Sequence, residues 1–249
     1  MDEQEFLKKR FAELYRKATE RGIYTYTDFL GLAEQSVFAE IKNSLSPTAY
    51  TLFGGVEGAE RVIIRFGEDG SFGSDFPIVC VKAEPVSQKF ADKLTHRDFL
   101  GALLNLGIER STLGDIAIID NVGYIFVKKD VAPHVMSELG RVKRTDVILS
   151  EADAPEAREL YRTERRRVQA VGERIDAIVA KLFSLSREEA STLFTKRLVF
   201  VGGRLCENNS YQLKEGEVVS VRGHGRFIYR GYETKSKKGK LNIEVDVYV

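Results

Sequence analysis

Cysteine occurs only twice in the chain, as Cys80 and Cys206, and neither sits in a CxxC pair. This argues against a disulfide framework or a cysteine zinc site and suits a reducing compartment, with both residues expected as buried thiols. Histidine is almost as scarce: His96, His134 and His224 do not fall at metal-ligand spacing, and neither HExxH nor GxSxG occurs. We therefore read no metal site, no cofactor and no catalytic nucleophile. HRDF at 96–99 has the form of a kinase catalytic loop, but no glycine-rich phosphate loop precedes it and no DFG follows, so Thr95 and Asp98 are better read as a helix start. GHG at 223–225 lacks the third glycine and the following helix of a dinucleotide site. No apolar run reaches the length of a membrane span or signal-peptide core, and the start, MDEQEFLKKR, is charged. The expectation is a soluble, cytoplasmic protein with no membrane partner.

Net charge is +1 over 249 residues, but this averages two unlike regions. Residues 158–249 hold 19 Lys plus Arg against 12 Asp plus Glu, a net of +7, while residues 1–157 hold 19 against 25, a net of −6. A basic C-terminal third attached to an acidic remainder is the footprint of a nucleic-acid-binding module, although a solvated basic face would give the same count.

Apolar spacing predicts helices over residues 4–18 and from Thr27 and Asp28 through Ile41, then two short strands, AYTLFGG and RVIIRFG. The turn-rich GEDGSFGSDFP marks a boundary. Beyond it PIVCVKAEP, HRDFLGALLNLG, GDIAIID, GYIFVKK, APHVMSEL and TDVILSEA read as strand, helix, strand, strand, helix, strand, which is the order of the ferredoxin-like and RNA-recognition folds. The third strand partly fits the aromatic ribonucleoprotein signature. Tyr124 and Phe126 share one face and could stack on bases, or that face could pack against a neighbouring domain.

EARELYRTERRRVQAVGE then predicts a basic linker helix ending in Arg165, Arg166 and Arg167. Two apolar stripes follow, and between them Ser186 and Glu189 form a capping-box pattern that starts a helix at Arg187. A cation is poorly placed at the positive end of a helix dipole, so Arg187 is a candidate for binding an anion. Lys196 and Arg197 at the far end of the helix have a weaker claim, since helix C-termini favour cations anyway. A hairpin at LVFVGGRLC, a strand in EGEVVSVRGHGRF and a closing strand after KSKKGK complete the chain. Arg222 and Arg226 bracket the GHG turn, whose backbone amides could also approach phosphate.

Arg174 to Asp176, Ser186 to Ala190, Val199 to Gly203 and Gly216 to Arg222 together match, in order, the hallmarks of the S-four RNA-binding domain. FGGVEGAER at 53–61 and HRDFLGALLNLGIERSTLGDI at 96–116 resemble the two signatures of the YlmH family. That resemblance implies an α+β chain of three small domains: an N-terminal unit at 1–74, an RRM-like domain at 75–152, and, after a linker helix at 153–167, an S-four domain at 168–249. It also implies a non-enzymatic, ribosome-associated role: contact with ribosomal RNA of the large subunit and with peptidyl-tRNA when stalled ribosomes are rescued. Arg174 and Arg187 would carry the RNA contacts, with Lys196, Arg197, Arg222, Arg226, Arg166, Arg167, Tyr124 and Phe126 as further candidates. The competing readings are an RNA-modifying enzyme targeted by its S-four module, a ribosome-assembly factor and a cell-division adaptor. Oligomeric state is not readable.

Overall fold

The computed structural model describes residues 3–47, 49–68, 75–235 and 240–249. GEDGSFGSDFP and KSKKGK therefore lie largely outside the described residues. The chain divides into two compact units, residues 1–161 and 162–249.

The first unit opens with α1 (Glu3–Arg21), β1 (Thr25–Tyr26), α2 (Leu32–Ile41), β2 (Tyr50–Phe53) and β3 (Ile63–Phe66), whose strands pair in the order β1-β3-β2. Phe11, Leu14 and Ala18 recur at helical spacing on α1 and pack on Phe38, Ile64 and Phe66. Helix α2 begins at Leu32, later than its apolar pattern suggests. Thr27 does not cap it: its hydroxyl accepts from the Ile64 amide at 2.9 Å. The Phe29 and Leu30 amides donate to Ser111 and Val62 carbonyls, so this stretch is pinned in an extended form.

The same unit continues with β4 (Ile78–Pro85), α3 (His96–Asn105), β5 (Leu113–Ile119), β6 (Val122–Lys128), α4 (Ala132–Glu138), β7 (Arg141–Val142), β8 (Thr145–Ala152) and α5 (Ala157–Leu160). The sheet order β5-β6-β4-β8-β7 contains the ferredoxin-like arrangement, with all pairings antiparallel. Asp120 and Asn121 both have positive φ and turn β5 into β6. HRDF starts α3 through a capping box between Thr95 and Asp98. Strand alternation places Val79, Val81, Ile125 and Val127 in the core beneath α3 and α4.

The opposite sheet face is covered. Phe126 is 1% exposed and packs with Phe29, Ile63, Cys80, Ala117 and Leu160, so it is unavailable for base stacking. Tyr124, half-buried, packs against the same cluster. A Cβ on Gly55 would stand 2.4 Å from the Phe126 ring, at a φ of +96° that L side chains rarely adopt. Burial among these groups pushes the Cys80 thiol up to about 11.

A polar clasp secures the contact. The Asp115 carboxylate accepts from the Glu60 and Arg61 amides at 2.7 and 3.0 Å and from the Tyr161 hydroxyl at 2.8 Å. The Arg61 side chain donates to the carbonyls of Phe29, Arg110 and Leu113. The two stretches 53–61 and 96–116 thus meet in space, and at this joint their residues hold the unit together.

The second unit comprises β9 (Thr163–Ala170), α6 (Ile175–Leu182), α7 (Arg187–Thr195), β10 (Val199–Val201), β11 (Arg204–Leu205), β12 (Val218–Val221), β13 (Gly225–Lys235) and β14 (Leu241–Tyr248). The strands form one sheet in the order β11-β10-β12-β13-β14-β9. Ile178, Val179, Leu193 and Phe194 of the two helices pack on Val219, Phe227, Tyr229 and Val245 of the sheet.

The expected basic linker helix at 153–167 is not present. Only Ala157–Leu160 is helical, and the arginine run lies in β9. Eight register pairs join β9 to β14, setting Arg165 opposite Asp246 and Arg167 opposite Glu244. Cross-strand pairs of opposite charge favour this ladder, whose partner strand is too far along the chain to leave a local signal.

Candidate nucleic-acid interface

Both helices of the second unit begin at candidate arginines and end in the same way. Ser186 caps α7: its hydroxyl accepts from the Glu189 amide at 3.2 Å, and the Glu189 carboxylate accepts from the Ser186 amide at 2.7 Å. That backbone donation holds the Glu189 carboxyl below the usual carboxylate range. The cap fixes the end of the helix and leaves Arg187 exposed, with no partner among the described residues.

Arg174 immediately precedes α6. It donates through Nε and Nη2 to the two oxygens of Asp176, at 3.1 and 2.7 Å, which raises its already high affinity for protons. The preceding Glu173 accepts from the buried Tyr229 hydroxyl, and the Leu213 amide donates to the Glu173 carbonyl. Arg174 itself bridges to Gln212. The turn carrying Arg174 is therefore anchored from both sides.

Arg174 and Arg187 line a single cleft of about 470 Å3, together with Glu173, Asp176 and Gln212. Gln212 was not a sequence candidate. Its place depends on the long-range bridge to Arg174, for which its local sequence carries no signal.

The other candidates are dispersed. Lys196 and Arg197 lie at the opposite end of nine-residue α7, about 13 Å along its axis at ~1.5 Å per residue. Arg197 has φ +58°, and the Leu198 amide donates to Leu193 while its own donates to Phe194, the pattern of a Schellman termination. Arg197 faces Glu207 at 3.8 Å. The Arg222 guanidinium lies 5.1 Å from the Phe200 ring centroid and that of Arg226 4.0 Å from Tyr248. Between them, in the GHG turn, His224 stands 5.6 Å from Phe183, so this turn sits against the end of α6. Arg166 pairs with Glu164, and Arg167 with Glu233 and Glu244. Their guanidinium groups are engaged within the strand ladder and lie apart from the cleft. Among the described residues, no group of three His, Cys, Asp or Glu could hold a metal ion, and no helix is long and apolar enough to cross a membrane.

Residues 73–156 match the family model described as "Putative RNA-binding domain in YlmH", and residues 173–219 match the "S4 domain". The "Ribosome-associated protein quality control protein P2" of Bacillus subtilis (strain 168) is 29% identical over 248 residues, 97% of this chain and 94% of that protein. The solved structure of "Cell division protein ylmH from Streptococcus pneumoniae" aligns with a TM-score of 0.47 and 23% identity, over 61% of this chain and 92% of that one. The second unit thus carries an S4 domain, whose match spans both arginines of the cleft. The first unit carries the domain described from YlmH, so the two matches fall one in each unit.

Proposed function

We propose that the chain binds ribosomal RNA of the large subunit and peptidyl-tRNA through its S-four domain, working in the cytoplasm on stalled ribosomes as a non-enzymatic quality-control factor. The observation that carries this reading is Arg187: exposed, without a partner among the described residues, held by a capping box at the positive end of α7 and sharing a cleft with Arg174. A guanidinium in that position gains nothing from the helix dipole and gains much from a phosphate, which accepts from its planar fork. The name of the Bacillus relative, a ribosome-associated quality control protein, supports the ribosomal setting. Arg187→Glu is expected to weaken co-sedimentation with large ribosomal subunits by roughly tenfold or more, since a cation in phosphate contact becomes a repelling anion, while the thermal midpoint stays nearly unchanged. Undiminished co-sedimentation would refute the assignment. Crosslinking in cells should recover large-subunit ribosomal RNA and tRNA; recovery of messenger RNA alone would exclude the rescue role.

A further inference from the structure

The first unit is acidic, with 20 Lys plus Arg against 26 Asp plus Glu over residues 1–161, yet it contains a cleft whose lining cations outnumber its carboxylates. About 600 Å3 in volume, this cleft runs between α1 and the end of β6 and is lined by Arg10, Lys17, Lys128 and Lys129, with Asp130 as its one carboxylate. Arg10 and Lys17 are seven residues apart and so project from the same side of α1. Lys128 and Lys129 form the facing wall, and Tyr24 and Tyr26 lie between. Arg10 engages Glu13, and Lys128 engages Asp28. Lys17 and Lys129 are exposed and have no partner among the described residues.

We infer that this cleft is a second RNA-binding site, which takes the phosphate backbone between Lys17 and Lys129. Cations on both walls of a groove match the need of a nucleic-acid backbone for charge; the Tyr24 ring between them is already covered by Arg65 at 4.2 Å and that of Tyr26 packs on Phe76, so the contact is with phosphates and not with bases. Of the four cations, Arg10 is paired with Glu13 and Lys128 with Asp28 and Asp130, which leaves Lys17 and Lys129, one on each wall, as the pair available to phosphate. The site also relocates RNA contact away from the covered sheet face to the rim of that sheet. The inference rests on the chain being an RNA-binding protein, but uses no residue of the S-four cleft.

The test is fluorescence anisotropy of a fluorescein-labelled RNA stem-loop against the full chain, measured over a range of salt concentrations. Lys17→Glu/Lys129→Glu is expected to lower affinity roughly tenfold and make the logarithmic salt dependence shallower by about 1 to 2 units, as two phosphate contacts are lost. Its thermal midpoint should stay that of the parent, because both side chains are exposed. Unchanged affinity and slope would overturn the inference. So would an equal loss from Lys89→Glu/Lys93→Glu, which makes the same charge change outside the cleft. Arg187→Glu measured in parallel separates the two sites. Loss from the cleft pair with none from Arg187→Glu keeps this site and removes the S-four reading; the reverse removes this site alone.

Discussion

Arg197 occupies a backbone region that suits glycine. A left-handed conformation costs an L residue roughly 1 kcal/mol, and the Schellman termination of α7 would be served at least as well by glycine. Arg197→Gly should therefore raise the unfolding free energy by up to about 1 kcal/mol, read as a higher urea midpoint. If the guanidinium contacts RNA, the same variant binds more weakly, so stability and affinity move in opposite directions. Phe126 is the contrasting case. Its replacement by alanine should destabilise the first unit by about 3–5 kcal/mol through the cavity left beside Phe29 and Ile63, measurable by chemical denaturation. The position of Arg187 at the start of α7 is legible in the sequence because a capping box is local, with cap and acceptor three residues apart. Phe126 is open to two readings in the sequence because alternation on a strand defines a face but not what covers it; packing is the one realised, and the cover comes from residues far away in the chain.

The central β-α-β-β-α-β order can be read from apolar periodicity because each element there is shaped by its own amphipathic pattern. Strand β9 cannot be read this way: its side chains are mostly polar and its partner lies more than seventy residues downstream. That pairing has a pH consequence. Asp246, 7% exposed, accepts from Arg165 and, at 2.6 Å, from Arg230, and these partners hold its carboxyl below the ordinary carboxylate range. A depressed native pKa contributes stability above the unfolded value of about 3.9, and the contribution is lost as pH falls through the native value. The thermal midpoint of the second unit should drop as pH is lowered below about 4. Asp246→Asn should flatten that dependence and lower stability at neutral pH by about 1–2 kcal/mol.

Each unit has hydrophobic cores drawn entirely from its own residues. A fragment spanning residues 162–249 is therefore expected to fold alone, with a cooperative thermal transition by circular dichroism. A fragment starting at 168 would lack five residues of β9 and leave Glu244 to Tyr248 of β14 paired only with β13, so it should unfold at a clearly lower temperature. The first unit does not divide in this way, because its two sheets share the cluster around Phe126 and the Asp115 clasp. Trimming the chain to its central domain would have a misleading effect. Once the first seventy-four residues are gone, Phe126 and Tyr124 come into the open on a ferredoxin-like sheet, the arrangement on which RNA-recognition domains stack bases. A pull-down with that fragment would report affinity for a platform whose Phe126 is buried in the intact protein, an artefact of the scissors.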